Sequence, residues 1–455
     1  MNVIIIGAGS VGYQIAERLA NDKHDVVIID QDSEKIMEIN KHLDVLTIVG
    51  KGGNFEVLSK AGIKECDILI AATDVDETNM IACFIAKKYN VPSKIARIRE
   101  YHFDSYKNNK HKEFFDKNEL GIDVYINPEE VATEKIINLI NSPVAFEIVD
   151  FPDENLLIKG FRITDGLKVE NKTIIEINQY KELNKMLVLA IIRNDEMIVP
   201  KGENKLLKND KVYVIAKKND FSEIAPLFHE SYREIHNIFI IGISNITRKL
   251  CKFFEKEKIK IKVIEPDEKK CILLSEEFKK IDVVNCNPTD VELLMDEGLN
   301  EIDAFIAVSD DEEKNILSSM IAKKHNVRKT IAKLQNNDYI PFTSIMGIDA
   351  VINPKLATVG EILKYVRKKN VLSVVTLGES DAEVIEYLIT GQNKLLDIPV
   401  KDIKFPKDCL LSAIIRLDET IIPRGNDKLS IGDRIIVFSS PQSTEQVDKL
   451  FGEMI

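Results

Sequence analysis

The apolar run Val3-Ile4-Ile5-Ile6 leads directly into Gly7-Ala8-Gly9-Ser10-Val11-Gly12, and an altered copy of that opening returns at Ile240-Ile241-Gly242-Ile243-Ser244-Asn245. A buried strand running through glycines at this spacing into a helix has few foldable solutions. Gly7 permits a tight turn, Gly9 leaves room beside the backbone, and Gly12 lets the helix lie close to the sheet. A chain that opens this way twice is built on two parallel-sheet halves, and a repeat of this kind constrains the fold more than any composition does.

In the first half, residues 10–20 read as a helix whose Val11, Ile15, Ala16 and Leu19 fall near helical spacing. The orphan amides at its start face the place where a diphosphate would lie. Val26–Ile29 reads as the next strand, and Asp30 at its carboxyl end stands about 20 residues beyond the turn, where an acid accepts hydrogen bonds from an adenosine ribose and repels an added ribose phosphate. NAD or another adenine nucleotide therefore fits better than NADP. The alternation continues through a strand at 45–49, a helix at 55–61 and a strand at 68–72. Thr73 and Asp74 then occupy a strand end, where open parallel sheets present their ligand loops, and Asp76-Glu77-Thr78 can start a helix. A short strand at 96–99 places Arg97 and Arg99 on one side, where either could hold a phosphate or an acidic side chain at a protein interface.

The second half keeps register with the first. Gly242 and Glu265 are separated as Gly7 and Asp30 are, Thr73–Asn79 matches Ser309–Asn315, and Ala86–Val91 matches Ala322–Val327. Ala96-Arg97 corresponds to Ala332-Lys333, and Gly121–Pro128 to Gly347–Pro354, each of the latter followed by a helix expected near Glu130 and Ala357. Two substitutions matter: Ser244 replaces Gly9, and Thr247 replaces Gly12. Their side chains should crowd a diphosphate and obstruct the helix–sheet approach, although Glu265 preserves the ribose position. A weak, altered or empty second pocket is expected.

Each half is followed by a shorter segment with strand and turn signals, most clearly Ala190–Gly202 against Ala413–Gly425, and Asn209-Asp210-Lys211 against Gly432-Asp433-Arg434. The expected fold is α/β, with two Rossmann-like parallel-sheet domains at 1–138 and 233–366. Each is followed by a small α+β domain, at 139–232 and 367–455.

Several function classes are disfavoured. A formal net charge of −12, with basic residues interspersed among acidic ones, argues against nucleic acid as a partner. Apolar runs fall far short of the roughly 20 residues that span a bilayer. The amino terminus enters a strand at once, leaving no room for a secretory signal, and the six cysteines form no Cys-x-x-Cys pair, which suits a reducing cytoplasm. No His-Glu-x-x-His or other metal spacing occurs, so no metal site is expected. A dehydrogenase remains the competing class, but its proton donor would have to be His102 or His111 in the charged stretch 101–117, neither of which has a convincing acid partner fixed by short spacing. No catalytic residue is assigned.

Taken together, the Gly7–Gly12 turn, the Thr73–Asn79 segment and the paired small modules resemble the regulatory subunits of Trk-type potassium-uptake systems, built from tandem RCK or KTN domains. The resemblance covers essentially the whole chain. It implies a cytoplasmic protein, peripheral at the inner face of the membrane, forming a homo-oligomeric ring beneath a potassium-translocating membrane subunit. It implies NAD or NADH binding, and in related forms ATP or ADP. The implied contacts are Gly7, Ala8, Gly9, Ser10, Val11, Asp30, Thr73, Asp74 and Arg97, with Gly242, Glu265, Ser309 and Lys333 at the related places of the second half. A nucleotide-sensing scaffold without a transporter is the third class.

Overall fold

The computed structural model describes the chain except residues 100–118, 152–154, 178, 180–184, 195, 230–232, 258, 344, 367–370, 378–381, 392, 394, 418 and 453–455. It comprises two compact units, one formed by 1–132 with 353–366, the other by 133–352 with 367–455.

In the first unit, strands β1 (Asn2–Ile6), β2 (Asp25–Asp30), β3 (Leu46–Val49), β4 (Ile68–Ala71), β5 (Ser93–Arg97) and β6 (Val124–Ile126) form a parallel sheet in the order β3-β2-β1-β4-β5-β6. Strand order reverses direction between β1 and β4, and ligands of such sheets bind beyond the carboxyl ends at that point. The helices are α1 (Ser10–Asn21), α2 (Ser33–His42), α3 (Phe55–Lys60), α4 (Asp76–Lys88) and α5 (Pro128–Asn141), the last running past the boundary at 132. Residues 3–6 read as an unbroken apolar run because β1 is covered on both faces. Val3 and Ile5 pack with Val11, Ile15 and Leu19 of α1, whereas Ile4 and Ile6 pack with Met80, Cys83 and Ala86 of α4.

Three expected elements shift by more than one residue. The strand expected at 96–99 runs instead from Ser93 to Arg97, because the amide of Arg99 donates to the Asp76 carboxylate and so leaves the ladder. The helices expected near Glu130 and Ala357 begin at Pro128 and Pro354. Asn127 accepts from the amides of Glu129 and Glu130, and Asn353 from those of Lys355 and Leu356, so each Asn-Pro pair is a cap followed by a proline at the first helical position. The helix Pro354–Leu363 belongs to the first unit, where Val359 and Ile362 join the core around α1.

The second unit holds another six-stranded parallel sheet of the same order, with Asn237–Ile241 in the place of β1. It also holds two five-stranded antiparallel sheets of matching order. One runs Glu196–Ile198, Met186–Arg193, Lys211–Lys217, Leu156–Arg162, Ala145–Phe151. The other runs Glu419–Ile421, Cys409–Arg416, Arg434–Ser439, Glu383–Leu388, Val371–Thr376. The arginine and aspartate of the repeated motifs meet in each. Arg193 donates through Nε and Nη2 to the two oxygens of Asp210 at 2.8 and 2.7 Å, and Arg416 does the same to Asp433 at 2.8 Å for both. The two sheets share one core, in which Leu189, Tyr213 and Ile215 pack with Val384, Ile436 and Phe438.

Among the described residues no helix is long and apolar enough to cross a membrane. All six cysteines are free thiols, and burial pushes Cys66 up to about 11 and Cys83, Cys251 and Cys409 up to about 12. Thiols held protonated in this way pack as small hydrophobes.

Candidate nucleotide-binding site

The turn after β1 is built by three local constraints. Gly7 sits at φ +106°, donates its amide to Ile29 O at 2.8 Å, and packs so tightly on the end of β4 that a Cβ would lie 3.0 Å from Thr73 N. A Cβ on Gly12 would lie 1.8 Å from Gly7 O, which is the close helix–sheet approach expected of that glycine. Asp30 holds the turn from the β2 side, accepting from Ala8 N at 2.6 Å through one oxygen and from Asp32 N at 2.9 Å through the other. Gly9 differs from its neighbours. It is the N-cap of α1, offers no capping side chain, and a Cβ placed on it meets nothing within 4 Å. The positive end of α1, with Ser10 and Val11 in its first turn, therefore opens onto clear space.

A second group of residues adjoins this turn through Thr73. Asn79 is fully buried and uses its whole amide: Oδ1 accepts from Thr73 N and Oγ1, while Nδ2 donates to Thr73 O and Arg97 O. It thereby ties the end of β4 to the end of β5. Arg97, 6% exposed, reaches over that tie, with Nη1 2.8 Å from Asp74 Oδ1 and 3.4 Å from Thr73 O. Arg99 Nη2 lies 3.0 Å from the same Asp74 oxygen. The expected common side of Arg97 and Arg99 is thus real, and the acid they hold belongs to their own chain. Partial burial pushes the Asp74 carboxyl up, but the Arg97 hydrogen bond and the charges of Arg97, Arg99 and Lys35 outweigh it and hold the group below its usual range. Burial and the neighbouring Arg99 lower Arg97, against the opposing effect of Asp74. The Nε of Arg97 is buried without a hydrogen-bond partner.

The second half repeats the frame and closes the cradle. Gly242 has φ +87° and donates to Ile264 O. Asn315 repeats the clamp on Ser309 and Lys333, and Lys333 Nζ lies 3.0 Å from Asp310. Ser244, however, caps its own helix: its hydroxyl accepts from Thr247 N at 3.3 Å, while Thr247 Oγ1 accepts from Ser244 N at 3.2 Å and donates to Gly242 O at 2.6 Å. These hydroxyls occupy the helix start that in the first half has open space at Gly9 and a close backbone approach at Gly12. Glu265 is buried, at 6% exposed, and its two oxygens accept from Ile243 N and Asp267 N. Arg99 has no cationic counterpart, since Gln335 stands in its place with its amide on Glu312.

The structure brings Gly7, Ala8, Gly9, Ser10, Val11, Asp30, Thr73, Asp74 and Arg97 together around the carboxyl ends of β1, β2, β4 and β5. Asn79 holds Thr73 and Arg97 in place and Asp76 holds Arg99, roles that the helix-start and strand motifs do not reveal. Their signal was the exact return of the asparagine at Asn315 and of an acid at Glu312. His102 and His111 lie outside the described residues.

Comparison with known proteins agrees with the duplication. The model of the TrkA-N domain matches residues 3–128 and 238–354, and that of the TrkA-C domain matches 158–229 and 384–452. A Trk system potassium uptake protein TrkA homolog of Methanosarcina mazei is 33% identical over 460 residues, covering 99% of this chain and 100% of the relative. The Trk system potassium uptake protein TrkA of Halomonas elongata is 30% identical over 456 residues, covering 99% and 98%. Among solved structures, the GsuK RCK domain aligns with a TM-score of 0.59 at 15% identity over 99% of this chain and 94% of that one. The GsuK channel bound to NAD aligns with a TM-score of 0.60 at 16% identity over 99% and 78%. At that identity the likeness is one of fold.

Proposed function

Because this chain belongs to the TrkA family, whose tandem TrkA-N and TrkA-C domains are regulatory and not catalytic, we propose that its first pocket senses an adenine nucleotide and that the occupancy of this pocket sets potassium flux through a separate membrane subunit. On this reading the chain is four modules divided near 138, 232 and 366. It sits at the cytoplasmic face of the membrane as a homo-oligomeric ring.

One observation carries the reading: the helix start at Gly9 is open, whereas its counterpart at Ser244 is capped by its own side chains. Gly7 and Ala8 shape the turn, Gly9, Ser10 and Val11 offer amides to a diphosphate, Asp30 faces the ribose, and Thr73, Asp74 and Arg97 line the side toward β5. NAD or NADH and ATP or ADP share the adenosine diphosphate group that such a cradle recognises. In the second half Gly242, Glu265, Ser309 and Lys333 keep the frame while the Ser244 and Thr247 hydroxyls occupy the helix start, so this pocket is weak, altered or empty.

Occupancy can act on flux only if the nucleotide prefers one assembly state. Moving a balance from roughly 1:10 to 10:1 needs about a 100-fold difference in affinity between the states. The test is potassium flux through the reconstituted complex while NAD, NADH, ADP and ATP are varied. Flux that changes with nucleotide in wild type and not in Gly9→Asp supports the reading. Equal flux in every nucleotide state, with the complex assembled, removes it and leaves a scaffold.

A further inference from the structure

The Asp74 carboxylate lies where a ligand's terminal phosphate would find its cations. One of its oxygens is shared by Arg97 Nη1 at 2.8 Å and Arg99 Nη2 at 3.0 Å, the geometry of an anion held between two guanidinium groups. The three side chains differ in freedom. Arg97 is 7% exposed at its side chain and fixed over Thr73 O, whereas the Asp74 side chain is 75% exposed and able to turn into solvent. The buried Nε of Arg97 is still without an acceptor, so the intramolecular anion satisfies this cation only in part.

The cluster adjoins the cradle. Gly7 packs directly on Thr73 N at the end of β4, one strand spacing, about 4.8 Å, from β1 on the side away from Asp30, and the Arg97 guanidinium reaches from β5 to the Thr73 carbonyl. A nucleotide with its ribose at Asp30 and its first phosphates at the turn runs toward this cluster. What arrives there depends on the ligand. A nucleoside diphosphate or triphosphate brings a terminal phosphate with two acidic oxygens, while a dinucleotide brings a second ribose joined through a diester. The second half offers a contrast within the same chain: Lys333 alone holds Asp310, and the place of Arg99 is taken by neutral Gln335.

We infer that Asp74 is a built-in competitor for Arg97 and Arg99, displaced by the terminal phosphate of a nucleoside diphosphate or triphosphate, and that it sets the first pocket's discrimination between such mononucleotides and dinucleotides. This rests on the nucleotide-sensing reading above. A terminal phosphate must break the Asp74 contacts and then lie near the displaced carboxylate. A dinucleotide makes no such demand, and the arginines stay paired. Asp74 thus lowers mononucleotide affinity selectively.

The experiment is calorimetry of ATP, ADP, NAD and NADH on full-length wild type, Asp74→Asn, Asp74→Ala, Arg99→Gln and the double variant Asp74→Asn/Arg99→Gln, at low and at high salt. In both Asp74 variants ATP and ADP are expected to tighten about tenfold, roughly 1.4 kcal/mol, relative to NAD and NADH. The gain should shrink in high salt and in the double variant, since it is an electrostatic gain made through Arg99. Equal changes for all four nucleotides, or weaker ATP binding in both Asp74 variants, would overturn the gate while wild-type binding preserves the sensing role. A folded wild type that binds none of the four would remove both.

Discussion

At the scale of single residues, two glycines three positions apart have opposite tolerances. At Gly9 the backbone is ordinary, with φ −72°, and the space a Cβ would fill is clear. At Gly12 a Cβ would collide with Gly7 O. Gly9→Ser is expected to give α1 the cap that Ser244 gives its own helix, leaving stability unchanged or higher by a few tenths of a kcal/mol, while nucleotide affinity falls at least tenfold. Gly12→Ala is expected to destabilise the first unit itself, by roughly 2 kcal/mol. Thermal melts with and without ATP separate the two: Gly9→Ser should melt like wild type and lose the ligand-induced rise, and a retained rise would refute the open-cradle assignment. The glycine spacing, Asp30 and the substitution of Gly9 by Ser244 were all legible in the sequence because each is a local constraint. That Asp30 also secures Ala8 N, and that Glu265 turns inward, depend on side-chain directions that spacing does not contain.

At the scale of elements, Asn79 shows what a repeat can tell before its reason is visible. The return of the segment as Ser309–Asn315 marked it as important. The cause is that one buried amide closes four hydrogen bonds between two strand ends, which requires the sheet to be assembled first. Asn79→Ala and Asn315→Ala are each expected to cost roughly 3 kcal/mol, since buried partners are left unsatisfied. Only Asn79→Ala should weaken nucleotide binding at temperatures where both variants are folded. Asn90 and Asn326, another repeated pair, take left-handed conformations at φ 56° and 63° and close α4 and the helix Glu312–Lys324. Lys329 gave no such signal. It opens a strand of the second parallel sheet, is buried, and donates Nζ to Ala145 O at the start of a small-module strand. Burial pushes it down to about 8 from 10.5, with Lys323 adding to the fall and Asp349 opposing it. Below about 8 folded and unfolded chains both hold this proton, and its effect on stability is constant. Between about 8 and 10.5 the unfolded chain keeps a proton that the folded chain has released, so stability rises with pH, by at most about 1.4 kcal/mol per unit. Urea unfolding across that window should show wild type gaining on Lys329→Met as pH rises, and parallel curves would show that Lys329 does not titrate there.

At the scale of the molecule, duplication decides which parts stabilise one another. Each small module could have packed its sheet on its own half. Instead the two sheets share a core, with Leu189 and Tyr213 from the first module against Val384 and Phe438 from the second. Each module keeps a separate core on its other face, around Phe161 and Phe228 in the first and around Tyr387 and Phe451 in the second. The strand-and-turn repeat was readable because alternation and turn residues are local. The shared core was not, because both inner faces are apolar whatever they meet. Phe438 is fully buried, and Phe438→Ala is expected to cost about 3–5 kcal/mol through lost burial and the cavity left behind. The informative readout is where that cost appears. If the two sheets form one cooperative unit, amide exchange should accelerate in Met186–Arg193 and Lys211–Lys217 as much as in Arg434–Ser439, although the substitution lies in the second module alone. Faster exchange confined to residues 383–439 would mean that the modules unfold independently. The shared face would then be a docking surface between two autonomous domains, unable to pass a change in one module to the other through a common core.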